Sequence, residues 1–293
     1  SQFGFSELID ELFTLSDKKR EDYLTYQKLD MVNKYFFDDG TIINAYADKK
    51  ALAKELEEKL GEPRDHTLNF FQKKPKLYKH ILALFLEKSL HKKSTFFNKK
   101  IFKAFWHFRK LNLFETIHQN TSRTFTNSKT IQIFDRLATY YGANPYKASA
   151  MLRLIPHAEY QNSTYSPQGG MYKVIESLVA LAKDLGVEFF TGQAVDEIIV
   201  WTKQVRGVSV GKKILDFDLV VSNLDISNTY RKLLPLHQTP KRLQKQNLSA
   251  SVIVFYWGIN KHFEGLNLHN VFFSKQSKEE FETVFEKQNI CSD

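Results

Sequence analysis

The stretch YSPQGGMYKVIESLVALAKDLGVEFFTGQAVDEIIV, from Tyr165 to Val200, constrains the fold more than any other part of the chain. Gly169-Gly170 opens a run with helical apolar spacing and Gly186 closes it. The periodicity then changes to two, at Phe189-Phe190 and from Ala194 to Trp201. A helix gated by glycines and leading into short strands belongs to an α/β or mixed α+β protein. Glycines ahead of a helix let the backbone approach a ligand, and the helix start offers free N–H groups and the positive end of its dipole. The same residues also make an ordinary turn into a surface helix, and local pattern alone leaves both readings open. No GxGxxG phosphate loop occurs in the 293 residues.

The flanking sequence divides into helices first and strands later. Apolar spacing at Phe5, Leu8, Ile9, Leu12 and Phe13 predicts a helix over 6–15. In KYFFDDGTIINAYAD, two β-rich runs flank Asp39-Gly40, which predicts a hairpin. Asp48 caps a helix that Gly61 ends, with Glu55 and Lys59 placed to pair at i,i+4. Leu68 to Gln119 reads as helical. So does SKTIQIFDRLATYYGANPYKASAMLRLI, with Gly142 as a helix stop and Pro145 opening the next helix. Strands are predicted at Val205–Val210, over DLVVSN (218–223), over ASVIVFYWGIN (250–260) and over NVFFS (270–274), with a helical stretch near Thr229 to Leu234.

Charge is concentrated. Of a net +9, the segment from Lys73 to Lys110 holds twelve Lys or Arg against the single acid Glu87, so the rest of the chain is slightly acidic. The same segment carries Phe96, Phe97, Phe102, Phe105 and Trp106 beside Lys99 and Lys100. Lysines that reach lipid phosphates while aromatic rings enter the acyl boundary would dock a helix on a membrane surface. Cations on phosphates with rings stacked on bases would bind nucleic acid, and a bundle with an aromatic core and a solvated lysine face would do neither. One cysteine, Cys291, rules out a disulfide-stapled fold and points to a reducing compartment. The nine histidines have no metal-ligand spacing, GxSxG is absent, and no metal is expected.

The run from YYGANPYKASAMLRLIPHAEYQ through PQGGMYKVIESL and VVSNLDISNTYRKLLP to VIVFYWGI resembles the carotenoid desaturases, the phytoene dehydrogenase-like flavoproteins, in order, spacing and residue type. The hairpin KYFFDDGTIINAYAD is similar to one early in that family. The resemblance implies an FAD/NAD(P)-binding-type flavoprotein fold in part, a mixed-sheet substrate domain and a helical membrane-facing insert. On this frame residues 1–67 begin the substrate domain and 68–165 form the basic membrane- and substrate-facing region. Residues 166–228 return to the FAD domain with a small β-ribbon, and 229–293 supply further substrate-domain strands.

The resemblance further implies FAD as cofactor, held by Gly169, Gly170, the main chain of Val195, Ser222 and Asn223. It implies a hydrophobic carotenoid as substrate, in a tunnel lined by Tyr140, Tyr141, Tyr146, Phe255 and Trp257. Phe96, Phe97, Lys99, Lys100, Phe102, Phe105 and Trp106 would face the membrane of a peripheral, cytoplasmic enzyme that does not bind nucleic acid. The expected activity is flavin-dependent desaturation of phytoene or of a hydroxylated or monocyclic carotene. Carotenoid isomerisation, a retinol saturase-like reaction and non-catalytic carotenoid binding are the alternatives. The family's glycine-rich phosphate loop and flavin-approaching segment have no counterpart here, so the chain is expected to be an excerpt from the middle of such an enzyme.

Overall fold

The computed structural model describes residues 3–4, 6–72, 115–153, 164–245, 252–287 and 289–290. The basic aromatic segment, with all seven residues expected to face a membrane, lies outside them. By internal contacts the chain forms two units, residues 1–182 with 249–293, and residues 183–248.

In the first unit α1 (Ser6–Leu15) forms where helical spacing predicts it. The hairpin forms from β2 (Met31–Phe36) and β3 (Ile42–Tyr46), and Gly40 takes φ +81° in its turn. Asp48 accepts from the Ala51 amide to start α2 (Lys49–Leu60), and Gly61 ends it with φ +68°, the left-handed value that favours glycine. The predicted Glu55–Lys59 pair gives way to a tertiary contact. Glu55 Oε1 accepts from Asn44 N at 3.0 Å and Asn44 Nδ2 at 3.1 Å, because α2 lies against β3.

β2 is the centre of a three-stranded sheet in the order β3-β2-β8, antiparallel to β3 and parallel to β8 (Asn270–Phe272). Tyr35, Phe37, Ile43 and Ala45 face a core closed by Leu52 and Leu56 of α2, Phe70 and Phe71 of α3 (Arg64–Gln72), and Ile133 and Phe134 of α5 (Ser128–Asp135). Phe134 is the hub of its aromatic cluster, stacked on Phe125 at 4.5 Å and 4.6 Å from Phe70. On the opposite face Phe36 stacks on Phe272 at 4.8 Å, directly across the strand pair.

Glu62, fully buried, ties the end of α2 to the start of α5. Its carboxylate accepts from the main-chain amides of Thr126 (3.1 Å to each oxygen) and Asn127 (2.8 Å) and lies 2.7 Å from His66 Nδ1. Asn127 returns a bond through Nδ2 to the Leu60 carbonyl at 2.8 Å, while its Oδ1 caps α5. Ahead of that turn, α4 (Ile117–Thr124) begins with a reciprocal capping box between Thr116 and Gln119.

The second unit is built on an antiparallel ribbon, β5 (Glu197–Trp201), β6 (Gln204–Val210) and β7 (Lys213–Asp216). Gly207 at its centre sits so close to β7 that a Cβ there would lie 1.9 Å from the Leu215 carbonyl oxygen.

Two expectations change. Residues 189–190, 218–223 and 252–259 carry strand-like composition but make no ladder among the described residues. Residue 145 lies in a turn, and the helical geometry after Gly142 is a 3-10 turn, Ala150–Arg153. The helical stretch expected near Thr229 to Leu234 forms, with π geometry over Thr229–Leu233. The architecture is mixed α/β, and no helix among the described residues is long and apolar enough to cross a membrane.

Candidate cofactor and substrate site

The glycine turn is placed by strands that hydropathy alone did not reveal. β1 (Tyr26–Lys28) pairs antiparallel with β4 (Tyr165–Pro167), and Phe3, Tyr26 and Tyr165 form an aromatic cluster beside the pairing. From β4 the chain turns at once. Gly170 N donates to the Pro167 carbonyl at 3.2 Å with Gly169 at φ +82°, as the third position of a type II turn requires. Gly170 follows at φ +93°, and a Cβ built on it would meet nothing within 4 Å. The turn leads into α6 (Tyr172–Asp184), the helix read from the sequence.

In the second unit Val195 lies just before β5 and is 39% exposed. Its neighbour Asp196 joins the ribbon through Ser209, whereas the N–H and C=O of Val195 bond to no main-chain group among the described residues. Ser222 Oγ is 2.9 Å from Thr229 Oγ1, and Thr229 Oγ1 donates to the Leu224 carbonyl at 3.2 Å. Asp225 then caps the helical turn Ile226–Asn228 through the amides of Ser227 and Asn228. Ser222 therefore holds the bend after VVSN with its side chain, while Asn223 stands exposed beside it.

The described tunnel candidates each have their own neighbours. Tyr146 packs against His118 with ring centres 4.3 Å apart and meets Phe281 of α7 (Ser277–Phe285) at 6.2 Å. Phe255 and Trp257 lie 5.8 Å apart and are 69% and 76% exposed. Tyr140 lies against Arg136, and the side chain of Tyr141 falls outside the description.

Two polar groups appear that the sequence reading missed. Asp135, buried, accepts from Thr121 Oγ1 at 2.6 Å and from His118 Nδ1 at 2.6 Å, which joins α4 to α5. Burial pushes its carboxyl up from the usual value, against the pull of those two bonds. Arg136, next in the chain, turns the other way to Tyr35, with its Nη2 donating to the phenol oxygen at 3.2 Å. A signal was available. Asp135 falls at the i+4 position from Ile131 on an apolar helix face, where a charge is rare unless it has partners.

Gly170, which leaves open space ahead of a helix, and a main-chain edge at Val195 with no main-chain partner among the described residues are compatible with a flavin dinucleotide at those places, whereas a Cβ on Gly169 would lie 3.1 Å from Lys173 Cγ. The chain belongs to the flavin containing amine oxidoreductase family, whose pattern matches residues 6–292. Within that family it is similar to the 1-hydroxycarotenoid 3,4-desaturase of Flavobacterium sp. (strain P99-3), 38% identical over 293 residues, which are 100% of this chain and 60% of that protein. It is 27% identical to the 4,4'-diapolycopene oxygenase of Methylomonas sp. over 98% of this chain and 58% of that one. To the phytoene desaturase of Neurospora crassa it is 29% identical over 195 residues, 62% of this chain and 33% of the relative. The chain thus spans 60% or less of these relatives' own length.

Proposed function

We propose that this chain is part of an FAD-dependent desaturase that inserts a carbon–carbon double bond into a carotenoid, with a 1-hydroxylated carotenoid as the substrate class. The observation that carries this reading is the 38% identity to a 1-hydroxycarotenoid 3,4-desaturase along the whole chain. FAD, when bound, would accept a hydride from one carbon of the polyene, while the adjacent carbon would release a proton to water as the double bond forms. The main-chain N–H and C=O of Val195 hold the adenine edge, since a backbone edge serves whatever side chain stands there. Gly169 and Gly170 let the chain pass close to the cofactor before α6, and Ser222 and Asn223 shape the bend facing it.

A polyene offers nothing polar at the reacting carbons, so the protein's contribution is alignment and exclusion of water by apolar walls. Tyr140, Tyr141, Tyr146, Phe255 and Trp257 are assigned to those walls. The basic segment within 68–165 docks the protein peripherally on the membrane from which the substrate is drawn. Its excess of lysine over acid and its clustered aromatic rings support that role.

The test is to give the protein FAD and a 1-hydroxylated carotenoid in vesicles. A longer-wavelength absorption spectrum and a product lighter by one pair of hydrogens are expected. Similarity to a 4,4'-diapolycopene oxygenase supports a second reading, oxidation at a chain end, and a product heavier by oxygen would favour it. An unchanged carotenoid overturns both.

A further inference from the structure

Arg136 opens the 3-10 turn that follows α5, and its surroundings are unusual for a cation. The guanidinium carbon lies 5.4 Å from the ring centres of both Tyr35 and Tyr140. Its Nη2 donates to the Tyr35 hydroxyl, yet no carboxylate among the described residues lies within ion-pair distance of it. Asp135, the nearest acid in the chain, is committed to His118 and Thr121. The Nε–H of Arg136 is buried and has no acceptor among the described residues. Buried cations are ordinarily paired, and a buried donor without an acceptor calls for an explanation.

The site has a closed end and an open one. Tyr35 is 1% exposed, in the core of the sheet, whereas Tyr140 is 45% exposed. His269, just ahead of β8, is held below the usual imidazole value by burial and by the charge of Arg136. The two phenol rings make a largely apolar surround with one strong cluster of donors. A phosphate, which needs several donors and counter-charges, suits it poorly. An apolar molecule bearing a single oxygen suits it well, because guanidinium only donates and a hydroxyl oxygen accepts.

We propose that Arg136, with Tyr35 beside it, receives the hydroxyl at the end of an otherwise hydrocarbon polyene and so selects hydroxylated over unhydroxylated substrates. The proposal rests on the desaturase reading above. A hydrocarbon end would leave the buried donor unpaired, which is how a polar site rejects an analogue lacking the polar group.

The experiment compares a 1-hydroxylated carotenoid with the hydrocarbon of the same length. It measures binding to flavin-free protein by quenching of tryptophan fluorescence, and kcat/KM with FAD present. Wild type should favour the hydroxylated ligand, and Arg136→Met should reduce that preference about 10- to 100-fold, the usual worth of a hydrogen bond to a charged group. Tyr35→Phe keeps the ring and should reduce it about 3- to 10-fold, so it carries the test if the arginine variant does not fold. Equal weakening of both ligands, or an unchanged preference, overturns the assignment. Displacement of the hydroxylated ligand by millimolar inorganic phosphate from wild type but not from Arg136→Met overturns it too, in favour of an anion site. A wild type that desaturates both carotenoids without preference sinks this assignment alone. One that binds and changes neither sinks the desaturase reading with it.

Discussion

Replacing Glu62 with alanine should destabilise the first unit by about 3–5 kcal/mol, as measured by denaturant unfolding. The magnitude comes from what the carboxylate leaves behind. The amides of Thr126 and Asn127 lose their shared acceptor where little water can replace it, and each such buried N–H costs about 1–3 kcal/mol. The cap of α5 is drawn in as well, because Asn127 is positioned both by Glu62 and by its own bond to Leu60. Glu62→Gln keeps one acceptor oxygen and nearly the same volume, so it should cost about 1–2 kcal/mol. A loss below about 1 kcal/mol for the alanine variant would show that the turn before α5 is held by its apolar neighbours and not by this carboxylate.

Gly207→Ala should break the ribbon of the second unit. The added methyl would meet main-chain atoms, with the Leu215 carbonyl oxygen at 1.9 Å and the Asp216 Cα at 2.9 Å, and neither is the mobile tip of a side chain. The strands must part, and with them the bonds that pair Gly207–Val210 with Lys213–Asp216. A cost on the order of 3 kcal/mol or more is expected. Amide hydrogen exchange locates it: protection along β6 and β7 should fall while that of Val32 to Tyr35 in the first unit persists. Unaltered exchange in β7 would refute the close approach.

Much of this fold was legible wherever the information is local. Asp48 and Gly61 bracket α2 because a cap and a left-handed stop act on their own neighbours. Asp39-Gly40 marks the hairpin for the same reason, and the glycine pair before α6 takes the positive φ values that its sequence implies. Partners distant in sequence were hidden. The runs at 218–223 and 252–259 have the composition of buried strands, but composition cannot say which strand, if any, will pair with them. Glu55 was read as a helix-surface residue because Lys59 is its neighbour on the helix, whereas β3 offers it two N–H donors. The glycines before α6 stand out by residue type alone. Arg136 does not, since its meaning lies in Tyr35, about a hundred residues earlier, and in the lack of a paired acid among the described residues, which only three dimensions reveal.

The parallel pairing of β2 with β8 also sets a timetable. Met31–Phe36 and Ile42–Tyr46 can close as a hairpin soon after they leave the ribosome, and α2 and α3 follow within a few tens of residues. The strand that completes the sheet, Asn270–Phe272, is synthesised roughly 220 residues later, about 10–45 seconds at ordinary elongation rates. Through that interval the β2 edge, with Tyr35 and Phe37 awaiting Phe273, stands open to any other strand in the cell. Holdase chaperones are therefore expected to engage the nascent chain between those two points in synthesis, and to let go once Phe273 has emerged.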